Sequence, residues 1–220
     1  MHEYTTPFVD FCEKNLDLTQ SMTYNYKSLP ICLIDCVYSL RTKYYSVTIP
    51  IVQRYADRYL NGEINSDKDT ISMFLQNMDE IGHQTFADNI VKNHQKLGGY
   101  IPKEEVCYKL AQYLRYLHIE TLEDFQHFES PELLEIVIKA VKGLGDAGTN
   151  YLFMLAGDTD RCKPDVHIHH CIKDACGCDI SNEECQTLFT DAVAIMREKY
   201  PGLTVRMLDG IIWRKYQAKT

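Results

Sequence analysis

The most informative segment of the sequence runs from Val141 to Ile172 and reads VKGLGDAGTNYLFMLAGDTDRCKPDVHIHHCI. A helical apolar pattern ends at Val141-Lys142, the first residues of this segment. Gly143-Leu144-Gly145 then makes a tight turn, and a second helix is predicted from about Ala147 to Leu155. Two glycines around one apolar residue permit positive φ angles and leave backbone N–H groups uncovered. Such groups at a helix start bind phosphate without basic side chains. The stretch therefore predicts a helical hairpin able to hold one nucleic-acid strand.

Apolar residues at helical spacing extend on both sides of this hairpin, and no run shows the strict alternation of a convincing sheet. Ser130-Pro131 is a helix N-cap followed by proline, and Ser181 to Glu184 fits a capping box. We therefore predict an all-α protein of about ten helices, with a helix-hairpin-helix near residues 131–156. The predicted helices cover about residues 5–16, 31–46, 50–60 and 87–96, with others starting near Ser66, Pro102, Pro131, Ala147, Asp165, Ser181 and Val205.

The composition limits what kind of partner the chain can have. The 220 residues include 23 Lys+Arg and 31 Asp+Glu, a net charge of −8. A general polyanion binder is more often basic, so any contact with nucleic acid is predicted to be local. No apolar run reaches the roughly 18 residues that span a bilayer, and no signal-peptide pattern opens the chain. We expect a cytoplasmic protein with no membrane partner.

The nine cysteines are predicted to be reduced thiols. Without an export signal, cysteines buried as small hydrophobic residues are the default. Three histidines, His167, His169 and His170, lie close to several of them in the sequence. We favour the interpretation that the histidines lie at the surface and the thiols are buried. Adventitious zinc is the alternative, and no metal site is predicted. The cysteines in apolar helical patterns are Cys12, Cys32, Cys36 and Cys107, and those near the histidines are Cys162, Cys171, Cys176, Cys178 and Cys185.

The hairpin and the aspartate that follows it resemble the helix-hairpin-helix (HhH-GPD) superfamily of DNA glycosylases, in its endonuclease III-like group. The family's hairpin reads roughly L-P-G-V-G-x-K-T-A, and a later V-D-T-H-V-x-R segment supplies the catalytic aspartate. Here Gly143-Leu144-Gly145 matches the hairpin glycines, and Pro164-Asp165-Val166-His167-Ile168 matches the aspartate segment. Ala147 stands where bifunctional members carry a lysine, 18 residues before Asp165. The resemblance covers about residues 28–216 and points to an uncharacterised bacterial branch without the iron–sulfur cluster, whose cysteine spacing is not matched.

The resemblance implies a fold, an activity and a partner. It implies an N-terminal helix and loop over residues 1–27, and a domain over 28–220 with two helical lobes and a site in the cleft between them. It implies a base-excision-repair protein that binds duplex DNA, flips a damaged base and cleaves its glycosidic bond with Asp165. Because Ala147 cannot form a Schiff base, the enzyme would be a monofunctional DNA N-glycosylase. No cofactor is implied except a monovalent cation held by hairpin carbonyls, no protein partner is inferable, and a bacterial protein would lie with the DNA in the nucleoid.

Several residues depart from the family pattern. Lys142 replaces a proline, Asp146 puts a negative charge beside the phosphate site, and no glutamine occurs near Leu40 or Arg41 to fill the gap left by a flipped base. A non-catalytic DNA-binding module of the same fold is therefore the alternative, and a metal- or redox-responsive Cys/His protein is a third. The candidate DNA contacts are Lys142, Gly143, Leu144, Gly145, Ala147, Gly148 and His167, and the base-gap or pocket candidates are Asp35, Tyr38, Leu40 and Arg41.

Three further side-chain assignments stay open at this stage. Asp165 fits a helix N-cap and a catalytic carboxylate equally well, and the two roles are compatible because a helix N-terminus favours a charged carboxylate. Asp35 is either the polar edge of its helix, which we favour, or a buried hydrogen-bonded carboxylate. Tyr38, Tyr44 and Tyr45 could stack on an extruded base or serve ordinary packing.

Overall fold

The computed structural model describes residues 1–20 and 26–217, and the all-α class predicted from the sequence is confirmed. Within these residues there are twelve α-helices, two π-helical segments at Tyr44–Thr48 and Phe86–Val91, and one two-stranded sheet. None of the helices described there is long and apolar enough to cross a membrane. The α-helices are α1 Thr5–Asn15, α2 Leu29–Ser39, α3 Ile49–Tyr59, α4 Ile71–Ile81, α5 His83–Thr85, α6 Lys103–Tyr116, α7 Leu122–Gln126, α8 Pro131–Lys139, α9 Gly145–Leu155, α10 Val166–Cys176, α11 Asn182–Met196 and α12 Val205–Gln217.

The chain forms two compact units, Met1–Tyr24 with Gly157–Thr220 as unit 1, and Asn25–Ala156 as unit 2. This division differs from the boundary expected at residue 28. The N-terminal helix α1 belongs to unit 1, where the rings of Phe8 and Phe189 lie 5.2 Å apart. Helix α1 therefore shares one hydrophobic core with α10, α11 and α12.

Unit 1 is built from α1, α10, α11 and α12 around that core. Its helix starts follow the sequence signals closely. The capping box predicted at Ser181 is confirmed, because Glu184 N donates to Ser181 Oγ (3.2 Å) and Ser181 N donates to Glu184 Oε2 (2.7 Å). Capping of this kind satisfies backbone N–H groups that have no partner inside the helix.

Unit 2 is organised around α2, in which every residue from Leu29 to Ser39 is buried. Ser28 begins this helix by accepting a hydrogen bond from Ile31 N at 3.1 Å. Helices α3, α6 and α9 pack against it. The next predicted helix starts later than expected, because Thr70 rather than Ser66 is its cap and accepts from Met73 N at 3.2 Å.

The helix predicted over residues 87–96 is wrong in its second half. The π-helical segment ends at Val91, Lys92 has a left-handed φ of 51°, and an antiparallel pair of strands follows, β1 Lys96–Leu97 and β2 Ile101–Pro102. The turn between the strands has φ of 60° at Gly98 and 82° at Gly99. The loop between the paired residues Leu97 and Ile101 has three residues, and the two consecutive positive φ angles within it are typical of a type I′ turn, for which Gly-Gly is a preferred sequence.

All nine cysteines are free thiols, as predicted. The four in apolar helical patterns, Cys12, Cys32, Cys36 and Cys107, are fully buried. Burial raises the pKa of Cys12 and Cys107 well above the ordinary value of a thiol. Such thiols pack as small apolar side chains and are poor nucleophiles.

Candidate functional site

The helical hairpin of unit 2 has the backbone geometry that its glycines predict. Gly143 and Gly145 have φ angles of 96° and 62°, and Leu144 between them is buried and donates its N–H to Val141 O at 3.2 Å. Helix α9 begins at Gly145 with no side-chain cap from Leu144. A Cβ on Gly145 would meet no atom within 4 Å. The first turn of α9 therefore starts at an open surface, where its N–H groups are accessible to an anion.

Two other hairpin glycines are needed for close packing. A Cβ on Gly143 would lie 3.0 Å from Leu97 Cβ, so the turn rests against strand β1. A Cβ on Gly148 would lie 2.8 Å from Leu144 Cγ and 3.3 Å from Leu40 Cδ1. The hairpin is thus held between β1 and the segment that follows α2. This arrangement brings Leu40, a base-gap candidate, next to the candidate DNA contact Gly148.

A buried lysine ties the neighbouring segments together. Lys103, the first residue of α6, is 1% exposed. Its ammonium meets the carbonyl ends of α2, which favour a cation, and also reaches the loop before β1. Thr42 Oγ1 donates in turn to Gln95 Oε1 at 2.8 Å. The acceptors of Lys103 Nζ are Tyr38 O (3.1 Å), Leu40 O (2.8 Å), Thr42 Oγ1 (2.8 Å) and Gln95 Oε1 (3.1 Å).

These contacts assemble what we call the basic face, defined by residues 40–45, 92–100 and 139–146 of unit 2. The three segments contain six lysines and arginines and one aspartate, in a chain whose net charge is −8. The aspartate, Asp146, is ion-paired with Lys139 at 2.5 Å. The exposed basic side chains are Arg41, Lys43, Lys92, Lys96, Lys139 and Lys142.

Two of these basic residues have an uncommon backbone conformation. Arg41 has φ of 56° and Lys92 has φ of 51°. Residues other than glycine are infrequent at positive φ, because the Cβ crowds the backbone there. Both side chains are exposed.

The favoured interpretation of Asp35 as the polar edge of α2 is wrong. Asp35 is 0% exposed and accepts hydrogen bonds from three tyrosine hydroxyls. Tyr26 and Tyr44 donate to Oδ2 at 2.8 Å each, and Tyr151 donates to Oδ1 at 3.0 Å. Burial, and then the charge of Asp35, raises the pKa of all three hydroxyls, so they stay protonated donors. Asp35 thereby links α9 and the first π-helical segment to α2.

The tyrosines considered for base stacking separate into buried and exposed ones. Tyr38 is 0% exposed, so its ring belongs to the core and offers no face to a ligand. Tyr44 is half-buried and held by Asp35. Tyr45 is 60% exposed and lies on the basic face. The physical reason for the difference is that α2 is buried on all sides, whereas the segment after it reaches the surface.

In unit 1, Asp165 is the N-cap of α10, as the sequence predicts. Its Oδ1 accepts from His167 N (2.9 Å) and Ile168 N (3.2 Å). The side chain is half-buried, and within residues 1–20 and 26–217 its second oxygen has no hydrogen-bond partner. One carboxylate oxygen therefore starts the helix, and the other is available for a ligand or water.

A second carboxyl group, which the sequence analysis did not single out, supports the loop before Asp165. Asp209 in α12 is 5% exposed and accepts from Lys163 N at 2.7 Å. Burial, together with the neighbouring charge of Asp165, raises the pKa of Asp209 to about 8. Asp209 is therefore mostly protonated at neutral pH. An aspartate inside the apolar run Leu208 to Ile212 was the available signal.

The histidine and cysteine side chains near Asp165 take part in packing. The His167 ring meets the Trp213 ring edge-on at 6.2 Å, and His169 Nε2 lies 3.0 Å from Asn182 Oδ1. Cys185 Sγ is 3.8 Å from the His169 ring. In the part of the chain that the structure describes, no group of three or more His, Cys, Asp or Glu side chains is arranged to hold a metal ion.

The fold and the site define a class, an all-α protein with a glycine hairpin beside a local basic face in one unit and a capped aspartate in the other. The chain belongs to the family described as a domain of unknown function, DUF8548, whose family model matches residues 6–218. A search of curated proteins found no match. A search of solved structures also found none.

Proposed function

We propose that this protein binds duplex DNA through the basic face of unit 2. The observation that carries the proposal is the assembly of three separate segments, with six basic residues against one acidic residue, around the open N-terminus of α9. The α9 N–H groups would hold a phosphate, and Arg41, Lys96 and Lys142 would hold its neighbours. The resemblance to the HhH-GPD glycosylases, with its two-lobed architecture and its monovalent cation at the hairpin, is part of this proposal.

A pair of glycine variants tests the hairpin contact. Gly145→Ala places a side chain at φ 62°, and Gly177→Ala places one at φ 74° at the end of α10, each with no atom within 4 Å of the new Cβ. Both changes strain the backbone by about 1 kcal/mol. Gly145→Ala should weaken binding of a fluorescent duplex several-fold in an anisotropy titration, because the first amides of α9 rotate. Gly177→Ala should bind as the wild type does. Equal effects of the two would show that strain, not the hairpin, governs binding.

Charge variants test the rest of the face. Lys142→Gln should lower affinity and reduce the slope of log affinity against log salt by roughly one, the signature of one lost phosphate contact. Lys68→Gln removes the same charge from an exposed position of unit 2 outside the basic face. It should leave both quantities unchanged. A salt slope that is the same in Lys142→Gln and the wild type would contradict the proposed surface.

We propose further that Asp165 gives the protein a monofunctional DNA N-glycosylase activity. The favouring observation is that one oxygen of Asp165 has no partner among the described residues, whereas the nearby Asp209 is held neutral by burial. A charged carboxylate can stabilise positive charge on the sugar, or orient water, as the base–sugar bond breaks. Ala147 offers no amine for attack on the sugar, so the abasic strand should stay intact.

A panel of duplexes with alkylated, deaminated and oxidised bases tests this activity. Each duplex is incubated with the wild type or Asp165→Asn and analysed with and without alkaline cleavage. Asparagine also caps helices, so folding should change little while activity falls by orders of magnitude. Strand breaks without alkali would mean that a lysine acts as nucleophile. DNA binding without base release would favour the non-catalytic module. Asp146 and the absence of a glutamine near Leu40 and Arg41 also favour that alternative.

A further inference from the structure

The turn between β1 and β2 presents an aromatic ring at the edge of the basic face. Tyr100 is 69% exposed. Its ring lies over the backbone of Gly98, because a Cβ at that position would be 3.3 Å from Tyr100 Cε1. Tyr100 N donates to Leu97 O at 3.3 Å, which closes the turn. A defined turn therefore holds the ring while most of its surface stays open to solvent.

The surroundings of this ring are positively charged. Lys96 lies on the same short hairpin, and Leu97 packs against Gly143, so the turn adjoins the helical hairpin. A second exposed tyrosine, Tyr45, follows Lys43 on another segment of the face. Exposed aromatic rings among lysines and arginines are typical of surfaces that bind unpaired nucleotides, since every base has a face that can stack.

The position of the ring also distinguishes between ligands. The backbone of a blunt duplex offers phosphates to the hairpin and the lysines, but its bases are stacked on one another. An unpaired nucleotide offers in addition a base face to an exposed ring. Lys103 joins two segments of the face through Leu40 O and Gln95 Oε1, so these segments are held together before a strand binds.

We propose that Tyr100 stacks on an unpaired base, and that the preferred ligand of the basic face is DNA in which unpaired nucleotides adjoin a duplex. This inference rests on the proposed DNA binding and narrows its ligand class. The duplex part would contact the hairpin, and the unpaired part would cross the β1–β2 turn between Lys96 and Tyr100.

The test compares two DNA probes and two tyrosine variants. One probe is a blunt duplex of about 20 base pairs, and the other adds a thymidine tail of roughly ten nucleotides with one 2-aminopurine near the junction. Tyr100→Leu removes the ring and keeps an apolar side chain. Tyr116→Leu makes the same change at a tyrosine of α6 that is 84% exposed and lies outside the basic face.

The wild type should bind the tailed duplex about tenfold more tightly than the blunt one, as expected for one stacked base. It should also quench the 2-aminopurine fluorescence. Tyr100→Leu should lose most of the preference for the tailed duplex and of the quenching, and Tyr116→Leu should behave as the wild type. Equal wild-type affinity for both probes would overturn the inference and leave DNA binding standing. Tyr100→Leu with an unchanged preference, or an equal loss in Tyr116→Leu, would overturn it too. Wild type that binds neither probe at low salt would overturn the proposed function as well.

Discussion

Each unit supports its candidate functional loop with one buried ionisable side chain, and the two side chains differ in charge and in number of contacts. In unit 2 the Lys103 ammonium meets four oxygens, two of them backbone carbonyls, beneath the basic face. In unit 1 the Asp209 carboxyl accepts from Lys163 N beside Asp165. Burial holds the pKa of Asp209 near 8, so this support adds little negative charge at neutral pH. The chain therefore has an additional positive charge beneath the basic face, whereas it has little additional negative charge beside Asp165.

The largest loss of stability is expected when Lys103 is replaced. Lys103→Met leaves the buried carbonyl of Tyr38 and the part-buried carbonyl of Leu40 without their donor, so we expect the free energy of unfolding to fall by about 3 kcal/mol. Urea denaturation measures it. Lys109→Met is the control, because Lys109 is exposed on the same helix and its loss should cost less than about 0.5 kcal/mol. Similar losses in the two variants would mean that Lys103 is not the support of the basic face.

The aspartate support should appear as a pH dependence of stability. Above pH 6 the unfolded chain has released the Asp209 proton while the folded protein retains it, so the free energy of unfolding should fall as pH rises to about 8. The fall is at most about 1.4 kcal/mol per pH unit. The window starts at pH 6 because burial also raises the pKa of Asp69 in unit 2, to about 6. Asp209→Asn should give a flatter profile between pH 6 and 8 in denaturation experiments, and a profile parallel to the wild type would contradict the assignment.

Variants of Asp165 separate capping from charge in unit 1. Asp165→Ala loses the acceptor of two backbone N–H groups and should cost about 1 kcal/mol, whereas Asp165→Asn should cost little. Ser181→Ala removes a cap of the same kind from α11 and serves as the reference. Thermal unfolding followed by circular dichroism measures all three. An asparagine variant as unstable as the alanine variant would assign the stabilisation to the charge.

The smallest effect is expected at the single acid of the basic face. Asp146 and Lys139 are both about half exposed, so Asp146→Asn should change the free energy of unfolding by no more than about 0.5 kcal/mol. It should tighten DNA binding two- to five-fold at low salt, because the phosphate site loses a negative neighbour. Asp179→Asn, which breaks the exposed pair with Lys173 in unit 1, should leave DNA affinity unchanged. Weaker binding of Asp146→Asn would show that the ion pair is needed to shape the hairpin.

The features that the sequence predicted correctly depend on neighbours along the chain. Ser181 and Asp165 each accept a hydrogen bond from a backbone N–H group three residues further on. The positive φ angles of Gly143 and Gly145 follow from the tight turn. The Gly98-Gly99 hairpin was equally local, but the apolar spacing before it favoured a helix. The sequence analysis interpreted Gly98-Gly99 as the end of a helix, because a glycine pair is typical both of a helix end and of a β-hairpin turn.

The features that sequence reasoning missed depend on residues far apart in the chain. Asp35 is satisfied by Tyr151, which lies 116 residues away, so its local pattern could not distinguish a buried carboxylate from a helix edge. A lysine at the start of α6 ordinarily predicts a solvated side chain, and only the distant carbonyl of Leu40 reveals why Lys103 is buried. The position of the basic face depends on such contacts. Composition therefore predicted that any contact with nucleic acid is local, but it could not indicate where on the protein the contact lies.

The division of the chain also has a consequence for its synthesis. Unit 2 is continuous in sequence, whereas unit 1 combines both ends of the chain, and Phe8 of α1 packs on Phe189 of α11. A ribosome therefore completes unit 2 before α10, α11 and α12 exist, and domains generally fold as units while they emerge. Helix α1 is made before unit 2, and Phe8 and Cys12 stay uncovered until α10, α11 and α12 have been synthesised. A segment translated before unit 2 thus completes its folding after unit 2, and its apolar side chains are exposed to chaperones in the interval.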